Sequence, residues 1–114
     1  MNVDYLPINK ESIFYRPEEF TMDLENNTFL FRISYNVYDK SFYFSMYYDL
    51  DVKPIIEGKK IVYGMDLLKN AVFQEKLDNV RIVIVDFSGS SHYEGVTKDN
   101  FMKSVKPYII VEGG

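Results

Sequence analysis

His92 is the only histidine of the chain, and it sits in Ser88-Gly89-Ser90-Ser91-His92 between Asp86 and Glu94. A nucleophilic hydrolase needs those residue types: a hydroxyl to attack, an imidazole to take its proton and a carboxylate to hold the imidazole. It also needs preorganised donors for the oxyanion, and nothing in the run signals them. A Ser/Gly loop carrying a solvated histidine accounts for the same residues. Asp49 and Asp51, near Asp39, form the densest acidic feature around the expected sheet. A calcium loop requires several oxygen ligands at set positions and usually a glycine for the sharp turn, and Asp49-Leu50-Asp51 lacks that pattern. A solvated strand end explains it better. Gly58-Lys59-Lys60 has the glycine and lysine of a phosphate loop, but the upstream glycine and the following Ser/Thr are missing. One histidine without cysteine leaves zinc only carboxylates as further ligands. Asn26-Asn27-Thr28 is a formal glycosylation triplet, relevant only to a secreted chain. Gly113-Gly114 reads as a frayed end. The residues therefore assign no catalytic, cofactor-binding or metal-binding position.

Composition excludes more. The chain has 114 residues, enough for one domain around one core. Cysteine is absent, so disulfides and thiolate chemistry are excluded together. The formal net charge is −4, which opposes nucleic-acid binding and adsorption to an anionic membrane. No basic region followed by an apolar run marks a secretory signal at Met1 to Tyr5. No apolar stretch approaches the ~18 residues that span a bilayer. A soluble protein made in the cytoplasm is the expectation. Ten Tyr and nine Phe with no Trp suit pleated, half-buried surfaces, and Tyr also suits protein interfaces.

The elements follow from periodicity. Residues 1–18, interrupted by Pro7 and Pro17, read as an N-terminal arm whose Ile13-Phe14-Tyr15 packs onto something. Phe20, Met22 and Leu24 alternate with polar residues. Phe29, Phe31, Ile33, Tyr35 and Val37 then share one face, opposite Leu30, Arg32, Ser34 and Asn36. Phe42, Phe44, Met46, Tyr48 and Leu50 oppose Tyr43, Ser45, Tyr47 and Asp49. Turns at Asn26-Asn27 and Asp39-Lys40 join these runs into a β-meander. Residues 51–60 read as a connection in which Pro54 marks an edge or a strand start. Ile61-Val62-Tyr63 reads as a short strand ended by Gly64. Leu67, Leu68, Val72 and Leu77 predict a short helix at about 66–77, capped by Asp66. Val80 to Phe87 reads as a central strand buried on both faces. Thr97 to Asn100 reads as a tight turn or a single helical turn leading to Phe101, Val105 to Val111 as the last strand, and 112–114 as a frayed tail. The expected fold is all-β with one short α-helix, a small antiparallel β-sandwich or partly open β-barrel in a single domain, its β core over 19–111.

Several segments in order resemble the baseplate plug proteins of contractile-tailed bacteriophages. They are Tyr5-Leu6-Pro7-Ile8-Asn9-Lys10, Glu19 to Leu24, Tyr48-Asp49-Leu50, Gly58, Val62-Tyr63-Gly64 with Leu67, Val85 to Gly89, Val96 to Phe101, and Tyr108-Ile109. The resemblance spans roughly residues 4 to 111 and lies in order and spacing rather than in one motif. The chain departs from it in a longer, charged region at Lys69 to Lys76 and an extended segment at Ser12 to Arg16, which bear on partner contacts. The resemblance implies a non-enzymatic structural protein in the virion, near the tail axis where tube meets hub and spike. Its implied partners are hub, spike and tail-tube proteins, with a homo-oligomer allowed in the assembled particle. It carries over no catalytic residue and no cofactor.

Two other classes compete. A stand-alone binding module, such as an immunity-type inhibitor, would use acidic charge and surface Tyr to mask a basic partner. A small-ligand barrel or enzyme would line a pocket with the aromatics. For the assembly role, the expected interface residues are Tyr43 and Tyr47 on the less apolar face of the meander, and Ile13, Phe14 and Tyr15 of the arm.

Overall fold

The computed structural model describes residues 4–24, 27–48, 53–69, 79–89 and 94–111. Among the described residues, seven strands build two antiparallel sheets that form a sandwich, with no closed barrel. The strands are β1 (Asp4–Tyr5), β2 (Glu18–Leu24), β3 (Asn27–Asn36), β4 (Ser41–Tyr48), β5 (Lys53–Lys60), β6 (Val80–Val85) and β7 (Lys106–Val111). The larger sheet runs β2-β3-β4-β5 and the smaller β1-β7-β6.

The meander sits where the alternation places it. Phe31 opposes Phe20 on β2 and Met46 on β4, and Ile33 opposes Phe44. Because side chains alternate across a strand, this register turns Phe29, Phe31, Ile33, Phe42, Phe44 and Met46 to one face, and all six are buried. The smaller sheet supplies the opposing layer with Val80, Ile82 and Ile84. Phe101, from the loop before β7, stacks on Phe42 with ring centroids 4.3 Å apart and joins the two layers.

Three departures from the sequence reading have physical causes. First, residues 53–60 form a full edge strand, not a connection. Between Phe44 and Tyr47 on β4 the register with β5 shifts twice. The extra residues of β5 let Ile55 and Ile56, neighbours in sequence, both turn inward and become buried. Gly58 takes the positive φ of the bulge at +64°, and its N–H is bonded to the Ser45 hydroxyl at 2.9 Å. Pro54 opposes Tyr47 near the start of this edge, as its missing N–H requires.

Second, residues 61–63 are not a strand. The chain turns at Tyr63 and Gly64 and then runs beside β6. The Gly64 N–H donates to the Ile84 carbonyl, Ile84 returns a bond to the Met65 carbonyl, and Leu67 donates to Ile82. Asp66 accepts the Leu68 N–H at 3.0 Å, which is the capping geometry expected of it, but residues 67–69 form a turn. The remainder of the expected helix, 70–77, lies outside the described residues. Among those described, the only helical segment is a 3-10 turn at Ser12–Phe14. Strand β6 ends at Val85 rather than Phe87, and its Arg81 is exposed, so its burial is less complete on the outer face.

Third, the segment ahead of β2 contributes a strand and core residues beyond the expected packing of Ile13 to Tyr15. β1 pairs with β7, Leu6 continues that ladder to the Pro107 carbonyl, and Leu6, Ile8 and Ile13 are buried in the core.

Candidate interaction surface

Of the groups weighed for chemistry, Asp86, Ser88, Asp39 and Lys59 are engaged by neighbouring residues. Asp86 accepts the Ser88 N–H at 2.9 Å and the Ser88 hydroxyl at 2.7 Å, and the Asp86 N–H meets the Tyr63 hydroxyl at 3.3 Å. That is a side-chain-capped turn at the end of β6. His92, Ser90 and Ser91 lie outside the described residues, as do Asp49 and Asp51. Asp39 accepts the Ser41 N–H at 3.0 Å and the Tyr43 hydroxyl. Lys59, of the glycine-lysine run, donates to the Leu67 and Lys69 carbonyls at 3.2 Å each. It fastens the edge of the larger sheet to the turn beside β6. Among the described residues no group of three or more His, Asp or Glu is placed to hold a metal.

The outer face of the larger sheet is set by register. Tyr43 lies between Ser34 of β3 and Lys60 of β5, and Tyr47 lies between Leu30 and Pro54. Tyr43, Tyr47 and Leu30 are all half-buried. The Tyr43 phenol is held protonated above its ordinary range by its hydrogen bond to Asp39, with burial and the Asp39 charge adding to the effect.

The arm residues separate. Ile13 is 2% exposed and belongs to the core, so it leaves the surface set. The 3-10 turn directs it inward, where the aromatic end of the sheet receives it. Phe14 is half-buried, edge-on to Tyr35 at 4.9 Å and 6.1 Å from Phe42. Tyr15 ends the turn and is 90% exposed. The arm therefore covers the end of the inner face, through Ile13 and Phe14.

The β3–β4 turn adds residues the sequence reading missed. Asn36 Oδ1 accepts the N–H groups of Tyr38 and Asp39, at 2.8 and 3.4 Å, so the turn is braced from within. It projects Tyr38, 94% exposed, and Val37. Beside it a cleft of about 580 Å³ runs between Phe14, Tyr15 and Tyr35, with Lys10, Lys40, Lys98 and Asp99 at its mouth. A second exposed aromatic group lies on the smaller sheet. Tyr108 packs on Phe87 at 4.3 Å and edge-on to Tyr5 at 6.0 Å, with Lys106 Nζ 4.3 Å from the Tyr5 ring centre.

Solvent-facing rings on a rigid two-sheet frame describe a molecule equipped to contact other proteins. The family model described as the cyanophage baseplate Pam3 plug gp18 matches residues 3–112. The chain belongs to this phage baseplate plug family. Membership places it in the tail of the virion as a baseplate structural protein that contacts other baseplate or tail proteins. The plug-family match covers the sequence segments from Tyr5 to Tyr108 whose order carried the resemblance. No curated protein matches the chain. No helix among the described residues is long and apolar enough to cross a membrane.

Proposed function

We propose that the protein is a non-enzymatic plug at the axis of a contractile tail, where tube, hub and spike meet, and that it acts only by assembly. The observation that carries this reading is the plug-family match over nearly the whole chain. The surface supports it: Tyr43 and Tyr47 lie half-buried on the outer sheet face, Tyr15 and Tyr38 are exposed, and Phe14 is half-buried. A ring that is rigid, large and polar at its tip buries much area on docking while losing little side-chain entropy. Synthesis in the bacterial host cytoplasm is part of the same proposal, as is assembly with further copies of the chain.

The test is incorporation into particles. The Tyr43→Ala, Tyr47→Ala double variant should lose about 1–3 kcal/mol of docking energy per ring. Co-sedimentation with baseplates should then fall steeply, while the variant stays folded by circular dichroism. Label density on the wild-type chain should fall on the tail axis in averaged particle images. Complete baseplates that form without the chain, or a double variant that incorporates like the wild type, would refute the proposal.

A further inference from the structure

We infer that the cleft between the 3-10 turn and the β3–β4 turn binds an acidic segment of a neighbouring baseplate chain, seating an apolar side chain between the rings. The inference deepens the assembly reading above and rests on it. The cleft is built from three distant parts of the sequence, and Phe14 and Tyr35 form its apolar wall. Lys10, Lys40 and Lys98 stand around it against Asp99, in a chain whose net charge is −4. A local excess of cations on an acidic protein selects for carboxylates and steers their approach.

The cations are positioned. Lys10 donates from Nζ to the Asp99 backbone carbonyl at 3.1 Å, across 89 residues of sequence. Lys98 rides on a turn in which Thr97 and Asn100 bond reciprocally, with the Asn100 carboxamide donating to Gly95 at 2.9 Å. Lys40 adopts φ +56°, a left-handed conformation that a glycine would occupy with less strain. Asp39, next to Lys40 in sequence, accepts hydrogen bonds from Tyr43 and Ser41. Glu18, at the start of β2, accepts the Asn9 N–H at 3.0 Å.

Other occupants fit less well. An isologous contact through the cleft would set the lysines of one copy against those of the other. Three lysines on a chain of net charge −4 are a poor match for a polyphosphate backbone, which rewards many neutralised phosphates.

The test uses assembled particles and the isolated wild-type chain side by side. Acetylation by an N-hydroxysuccinimide ester should slow at Lys40 and Lys98 by about tenfold or more on assembly. A zero-length carbodiimide should join at least one of these lysines to an Asp or Glu of a different baseplate protein. Lys40→Glu with Lys98→Glu should reduce incorporation by about tenfold or more, and Lys40→Arg with Lys98→Arg should restore it. Unprotected lysines in particles that contain the chain overturn the cleft proposal and leave the baseplate role standing. So does a cross-link found only between copies of this chain, or protection removed by nuclease. A wild-type chain absent from the particle overturns the assembly reading itself and the cleft with it.

Discussion

Phe44 and Tyr43 are neighbours on β4 whose side chains take opposite faces, and replacing each in turn by alanine tests the whole sandwich. Phe44 is fully buried, opposite Ile33 and 5.9 Å from the Phe31 ring. Deleting a buried Phe ring to alanine costs about 3–5 kcal/mol, from lost burial and the cavity left behind. Tyr43 is half-buried and its hydroxyl bonds an exposed carboxylate. Its removal should cost about 1 kcal/mol, the centre of the distribution for single substitutions. For 114 residues at about 2.1 cal/mol/K each, the unfolding entropy near 60 °C is about 240 cal/mol/K. Each kcal/mol then moves Tm by about 4 °C. Phe44→Ala should lower Tm by about 12–20 °C and Tyr43→Ala by about 4 °C. Circular dichroism melts and urea midpoints at constant m-value measure both. Equal losses, or a larger loss at Tyr43, would show that the register is shifted by one residue and that the faces are exchanged.

Two further outcomes follow from single side chains. Tyr43 is held protonated by Asp39, so its contribution is fully present below the ordinary tyrosine range and is lost as pH rises through its raised folded value. In a 13C-tyrosine NMR titration its signal should ionise at higher pH than free tyrosine, and Asp39→Asn should bring it back; a Tyr43 signal unmoved by Asp39→Asn would refute the assignment. Asn100 is buried and its carboxamide serves the Thr97 N–H and the Gly95 carbonyl. Asn100→Ala strands both groups and should cost about 1–3 kcal/mol in urea unfolding; a loss within 0.5 kcal/mol, the range of about ±0.5 typical of surface substitutions, would show that water replaces it freely.

Where burial follows a period of two, it was legible in the sequence. The three strands of the meander and the half-exposed position of Tyr43 and Tyr47 come from that alternation alone. Strand β5 hid because its bulge breaks the period, so that Ile55 and Ile56 look like a loop with two stray apolar residues. The strand and the core residues of the arm were hidden for a different reason. Leu6, Ile8 and Ile13 form no sustained period around Pro7, and Leu6 is placed by the pairing of β1 with β7 at the far end of the chain. Tyr15 was recognised as a surface ring, whereas Ile13 beside it turned inward with the 3-10 turn. The cleft had no local signal at all, since Lys10, Lys40 and Lys98 meet only after both sheets have formed.

The bulged edge of the larger sheet has a consequence for the life of the protein before assembly. A straight, regular edge strand invites a second chain to continue the sheet, and at high concentration that becomes irreversible polymerisation. On β5, Pro54 withholds a donor and the kink at Gly58 breaks the repeat of the ladder. Unassembled chains can therefore accumulate without fusing their sheets along this side. Joining neighbours there is left to side chains, whose contacts can form, be rejected and re-form until the right one is found.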